Sequence, residues 1–123
     1  VEVSAPKPKI VSPEEVLWFL QQFRKAKEQN GLVFLDRQKN FQALLDLEIS
    51  AQEREEVIDR LAVQNYYKGP RPDGVRMGGE FWEFGAKVGK GEVYIKLSLG
   101  IEEGPVLCFS FHPAERKIRF PYR

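Results

Sequence analysis

One cysteine, one histidine and only short apolar runs occur in these 123 residues, and each scarcity closes off a class of chemistry. Cys108 has no second cysteine for an internal disulfide and no CxxC partner, which removes dithiol chemistry and a cysteine-based structural zinc site. An isolated thiol of this kind reads as a small core residue. The longest apolar stretches, Val16–Leu20 and Val106–Phe109, fall far short of the roughly 20 residues that span a bilayer, so no membrane partner is expected. Val1–Ile10 lacks the basic start and apolar segment of a secretory signal, which makes the cytoplasm the expected compartment. Charge of one sign is also scarce. The net charge is +1, so nothing global announces a polyanion partner. The halves differ, however: residues 1–63 carry 9 basic and 11 acidic side chains, residues 64–123 carry 10 and 7. Any contact with nucleic acid is therefore expected from the C-terminal half.

What is present is the balance of a globular domain, 42% hydrophobic and 30% charged, in a chain long enough for one core. Residues 1–11 show no periodicity and read as a flexible tail, leaving 12–123 as a single domain. Ser12-Pro13-Glu14-Glu15 is a capping box that predicts a helix to about Gln29, ended by Asn30-Gly31. Val16, Leu17, Phe19, Leu20 and Phe23 form its apolar stripe. Leu32–Leu35 reads as a short connecting strand. Helical spacing over Lys39–Leu47, then a second capping box at Ser50-Ala51-Gln52-Glu53, predicts two more helices, the last to about Leu61. After Gln64 the pattern changes to short aromatic and β-branched runs, with strands expected at 64–68, 80–86, 91–99, 106–112 and 117–121. Gly69–Gly79 reads as a loop. Helices followed by strands predict an α+β fold, three N-terminal helices on one face of an antiparallel C-terminal sheet.

The chemistry is sought on the other face of that sheet. Glu92–Leu99 alternates throughout, which sends Val93, Ile95, Leu97 and Leu99 to the core and Glu92, Tyr94, Lys96 and Ser98 outward. In the next strand Leu107, Phe109 and Phe111 read as core, with Val106, Cys108, Ser110 and His112 opposite. A hairpin joins the two strands, so paired residue numbers should sum to 204 or 206, and either register gathers Tyr94, Lys96, Ser110 and His112. With Trp82 and Phe84 inward, Glu83 joins this cluster, and Tyr66-Tyr67-Lys68 adds rings and a cation. The plain alternative is an ordinary solvated sheet face with a charged edge at Arg116–Arg119.

Several segments resemble a known family. Leu61–Lys68 (LAVQNYYK), Phe81-Trp82-Glu83, Gly91–Leu97 (GEVYIKL) and Leu107–His112 (LCFSFH) occur in the order and spacing of MqsR-type toxins of toxin–antitoxin pairs. Phe41–Asp46 (FQALLD) looks like that family's helix after its first short strand. The similarity covers roughly residues 12 to 121. It implies a RelE-like fold and an RNA-cleaving toxin neutralised by a cognate antitoxin, with messenger RNA, free or on the ribosome, as substrate. Family active-site positions fall on Lys68 at a family lysine, Glu83 where glutamine is found, Tyr94 at a family tyrosine, and His112 where a lysine can stand.

Such cleavage uses the RNA's own 2′-hydroxyl and needs no metal or cofactor: a base, cations for the phosphorane and an acid suffice. His112 can serve as acid or base, Lys96 and Lys68 as phosphate clamps, Tyr94 as orienter of the nucleophile or as a stacking partner for a base, and Glu83 as a second proton-transfer group. Tyr66, Tyr67, Arg71, Arg76 and Ser110 are the expected RNA contacts. Pro113 biases His112 toward an extended backbone and ends its strand. The competing reading is a non-catalytic RNA-binding or protein-interaction module that uses the same face for stacking and phosphate contact.

Overall fold

Ser12 keeps an extended backbone, and its hydroxyl accepts from the Glu15 amide at 3.2 Å, so the first helix, α1 (Pro13–Asn30), starts at its capping residue and ends at Gly31. The computed structural model describes residues 9–74 and 79–123. After α1 come β1 (Leu32–Phe34), α2 (Arg37–Leu47), α3 (Ala51–Asp59), β2 (Tyr66–Pro72), β3 (Glu80–Val88), β4 (Gly91–Ser98) and β5 (Val106–Pro113). The full capping box at Ser50 and Glu53 opens α3 as the sequence predicts. Among the described residues no helix is long and apolar enough to cross a membrane.

The fold is α+β with a five-stranded sheet in the order β1-β5-β4-β3-β2. β2 to β5 form an antiparallel meander, but β1 runs parallel to β5, so the sheet is mixed rather than purely antiparallel. A parallel neighbour needs a long crossover, and α2, α3 and the meander lie between these two strands in the chain. β1 thereby takes the free edge of β5. The expected strand at 117–121 cannot join that edge, and the segment crosses the sheet face as a strap without strand structure.

Val16, Phe19, Leu20 and Phe23 of α1 and Ile58 of α3 pack on Trp82, Phe84, Val93, Ile95, Leu97 and Phe111, with Phe19 stacked 4.5 Å from Trp82. Leu17, expected in the apolar stripe, is exposed. The β4 alternation holds through Leu97, although Ser98 is also buried. In β5 it does not. Tyr94, Ile95 and Lys96 pair with His112, Phe111 and Ser110 in the 206 register, but Leu97 pairs with Cys108. Phe109 is the extra residue of a β-bulge, and an odd insertion reverses which side chains face inward. Val106 and Cys108 are therefore core, while Phe109, and Leu107 with it, are only partly buried. Phe109 lies on the polar face instead, 6.3 Å from Phe81.

Two further expectations are corrected at β2. The strand does not stop at Lys68 but runs on through Gly69-Pro70 to Pro72. Gly69 sits at φ 113° with β3 so near that a Cβ would meet Phe81 O at 3.1 Å, and the register shifts on either side. Glycine fits that bulge, and β2 is an edge strand, where proline removes no needed donor. Tyr66, read as an RNA contact, is fully buried. Its hydroxyl accepts from the Val11 amide at 3.1 Å and donates to Gly69 O at 2.6 Å. Lys9 and Val11 are thus fastened to the sheet rather than loose, with the Gly69 amide also donating to Lys9 O at 2.8 Å. Tyr66→Phe orphans the buried Val11 amide and is expected to cost about 1–3 kcal/mol. Urea denaturation would register this as a lower midpoint at unchanged slope. An unchanged midpoint would mean that the hydroxyl is not what holds this segment.

Candidate functional site

Three antiparallel pairings lay the polar residues of β2 to β5 in transverse rungs. Lys68 pairs with Glu83, Glu83 with Lys96, and Lys96 with Ser110. On the next rung Gly85 pairs with Tyr94, and Tyr94 with His112. Directly paired side chains stand about 4.5–5.5 Å apart at Cβ, so one face carries cation, carboxylate and cation in a row beside a tyrosine–histidine pair. The Tyr94 and His112 rings lie 5.4 Å apart.

Glu83 organises this face. Only 2% of it is exposed, and its Oε1 accepts from the Tyr94 hydroxyl at 2.5 Å and from Arg71 at 3.2 Å. Its Oε2, also buried, has no hydrogen-bond partner among the described residues. Burial, and then the bond to Glu83, raise the Tyr94 pKa far above the ordinary phenol range, so Tyr94 stays a neutral phenol. Its proton points at Glu83, and the lone pairs of its oxygen remain available as acceptors. Lys96 holds its ammonium 3.9 Å from the centre of the Phe81 ring. Burial lowers the Lys96 pKa, against the opposing pull of Glu83. Arg71 lies over the same ring at 5.1 Å.

Beside this row opens a cleft of about 250 Å³, floored by Tyr67, Lys68, Glu83, Tyr94 and His112 and walled by residues 114–118 of the strap. Gly85 makes that wall possible. A Cβ there would meet Ile118 Cδ1 at 2.5 Å and Phe120 Cζ at 2.9 Å, so only glycine lets the strap lie this close to the sheet. Ile118 is buried in consequence. His112 Nδ1 lies 2.9 Å from Pro113 O, and a carbonyl only accepts, so Nδ1 carries the hydrogen. In the neutral ring this leaves Nε2 with the free lone pair.

The structure brings together Lys68, Glu83, Tyr94, His112 and Tyr67 in the cleft. Lys96 and Ser110 share the Glu83 rung but lie outside the lining, and Arg71 reaches the site through Glu83. Tyr66 is on the opposite, core face, and Arg76 lies outside the described residues. Arg116 and Lys117, read from the sequence only as part of a charged edge, line the cleft wall. They carry no periodic signal, because the strap is placed by β1 closing the edge of β5. Comparison with protein-family models, with curated proteins and with solved structures returns no match, so the function of the cleft has to be argued from this geometry.

Proposed function

We propose that the cleft binds single-stranded RNA and cleaves it by attack of the 2′-hydroxyl on the adjacent phosphate, as the resemblance to MqsR-type toxins implies. The observation that supports this most is His112, whose Nδ1 is tied to Pro113 O while Nε2 remains free beside Lys68 and Tyr94 in one cleft. In this reading Nε2 takes the proton of the 2′-hydroxyl, and that oxygen forms a bond to phosphorus as the bond to the 5′-oxygen breaks. Tyr94, its own proton held by Glu83, packs its ring 5.4 Å from that of His112 and keeps this base oriented toward the nucleophile. Lys68, Arg116 and Lys117 offset the added charge on the phosphate, with Lys68 the proton donor to the departing oxygen. Glu83 is assigned a positioning role: its Oε1 already accepts from Tyr94 and Arg71. A RelE-like fold, toxicity on expression and a neutralising antitoxin belong to the same proposal.

The test is incubation of the purified chain with labelled single-stranded RNA in EDTA. The expected products are a fragment ending in a 2′,3′-cyclic phosphate and one beginning with a 5′-hydroxyl. RNA that is retained but uncut favours the binding-module reading, in which Tyr67 and the cations over Phe81 form a stacking and phosphate surface.

A further inference from the structure

The cleft continues past its strap wall. Residues 114–117 also wall a second depression of about 690 Å³, whose opposite side is Lys87, Lys90 and Glu92 around the β3–β4 turn. Lys87 and Glu92 pair across β3 and β4 on the rung beyond Gly85 and Tyr94, and alternation puts them on the same sheet face. Cleft and trough therefore follow one another along a single surface.

Five cations line the trough: Lys87, Lys90, Arg116, Lys117 and Arg123. They meet two carboxylates, Glu92 and Glu115, and Glu92 is already approached by Arg123 at 3.8 Å. The local excess of three positive charges is larger than the +1 of the entire chain, so the positive field of the protein is concentrated here. Folding does not account for that. Lys87 and Lys90 are exposed, and like charges gathered around one depression repel until an anion enters it.

We infer that the trough is an extended binding subsite for the phosphodiester backbone of single-stranded RNA running out of the cleft. The inference rests on the proposed reading of the cleft as an RNA site. The shared wall makes the two depressions one path, and the narrow cleft suits a splayed single strand rather than a duplex. Lys87 and Lys90 touch backbone only, so they add affinity without choosing the sequence that is cut.

The test compares the full chain with its Lys87→Ala/Lys90→Ala variant, on a long unstructured oligoribonucleotide and on a dinucleoside monophosphate, which carries the scissile phosphate and no other. Every single-strand phosphate that a lysine neutralises steepens the salt dependence of binding by about 0.7 in log–log slope. Without the two lysines, the slope should be shallower by about 1.4 and affinity for the long RNA about 25-fold weaker at 0.1 M salt. KM for the long RNA should rise with kcat unchanged, and cleavage of the dinucleoside monophosphate should not move. Equal affinities and slopes for the two proteins, with the long RNA still cut, would overturn the trough and leave the nuclease standing. Binding without cutting, but with the slope change, would support the trough and overturn only the chemistry. A parental chain that neither binds nor cuts RNA overturns both. Loss of an acidic co-purifying protein from the variant, with RNA affinity unaltered, would make the trough a protein-docking face and overturn the inference.

Discussion

Replacing His112 by alanine should slow RNA cleavage by roughly 10²–10⁴-fold, the contribution of a positioned general acid or base, while the melting temperature stays nearly unchanged. Rate and stability separate here for a structural reason. The ring is only partly buried, and its hydrogen bond runs to the carbonyl of the very next residue, so it joins no two elements of the fold. Truncations of that kind usually stay within about 0.5 kcal/mol. The slower rate corresponds to roughly 3–5 kcal/mol of activation free energy, far beyond what removing the ring packed beside Tyr94 explains. His112→Lys should retain more activity than the alanine variant, because lysine can stand at this position in the family the chain resembles and still carries a proton. A folded alanine variant that cuts at the parental rate would move proton transfer to Lys68 and Glu83. Retention of RNA by parent and variant alike, with neither cutting it, would leave only the binding-module reading.

How much of this site is legible in the sequence depends on what shaped each strand. β4 has antiparallel neighbours on both sides, so its alternation predicts Val93, Ile95 and Leu97 inward and Tyr94 and Lys96 outward, as found. β5 carries a similar alternation, yet the bulge at Phe109 inserts one residue that a period of two does not record. His112, Phe111 and Ser110 lie on one side of that insertion and keep their predicted faces. Cys108, Leu107 and Phe109 fall at or beyond it and are reversed. In β2 alternation would put Lys68 on the core face with Tyr66, and the register shift between them carries Lys68 to the polar face beside Glu83 instead. Arg116 and Lys117 have no local signal. They reach the cleft because β1, three residues long and parallel, occupies the edge that the last segment would otherwise join.

The second large effect concerns Cys108, which the bulge turns into the core. Burial pushes its thiol up from an ordinary 9.0 to about 12, outweighing the opposite pull of Arg54, whose guanidinium lies 3.5 Å from the centre of the Phe34 ring. An acid with a raised pKa in the folded state keeps its proton where the unfolded chain has released it. Its stabilising contribution is thus fully present below pH 9 and is lost as pH rises toward 12. At about 1.4 kcal/mol per decade, three decades amount to roughly 4 kcal/mol, a large share of the 5–15 kcal/mol by which domains of this kind are stable. Tyr94, raised by burial and by Glu83, adds to the loss in the same direction above pH 10. Cys108→Ala abolishes the thiol contribution at a packing cost of about 1 kcal/mol. The variant should therefore be slightly less stable than the parent at pH 7, equal to it near pH 10 and clearly more stable at pH 11, with RNA cleavage at pH 7 unaffected. Urea midpoints measured across this range decide the matter. Parental and variant curves that fall in parallel would show that the thiol titrates alike in the folded and unfolded chains and that the alkaline loss belongs to Tyr94.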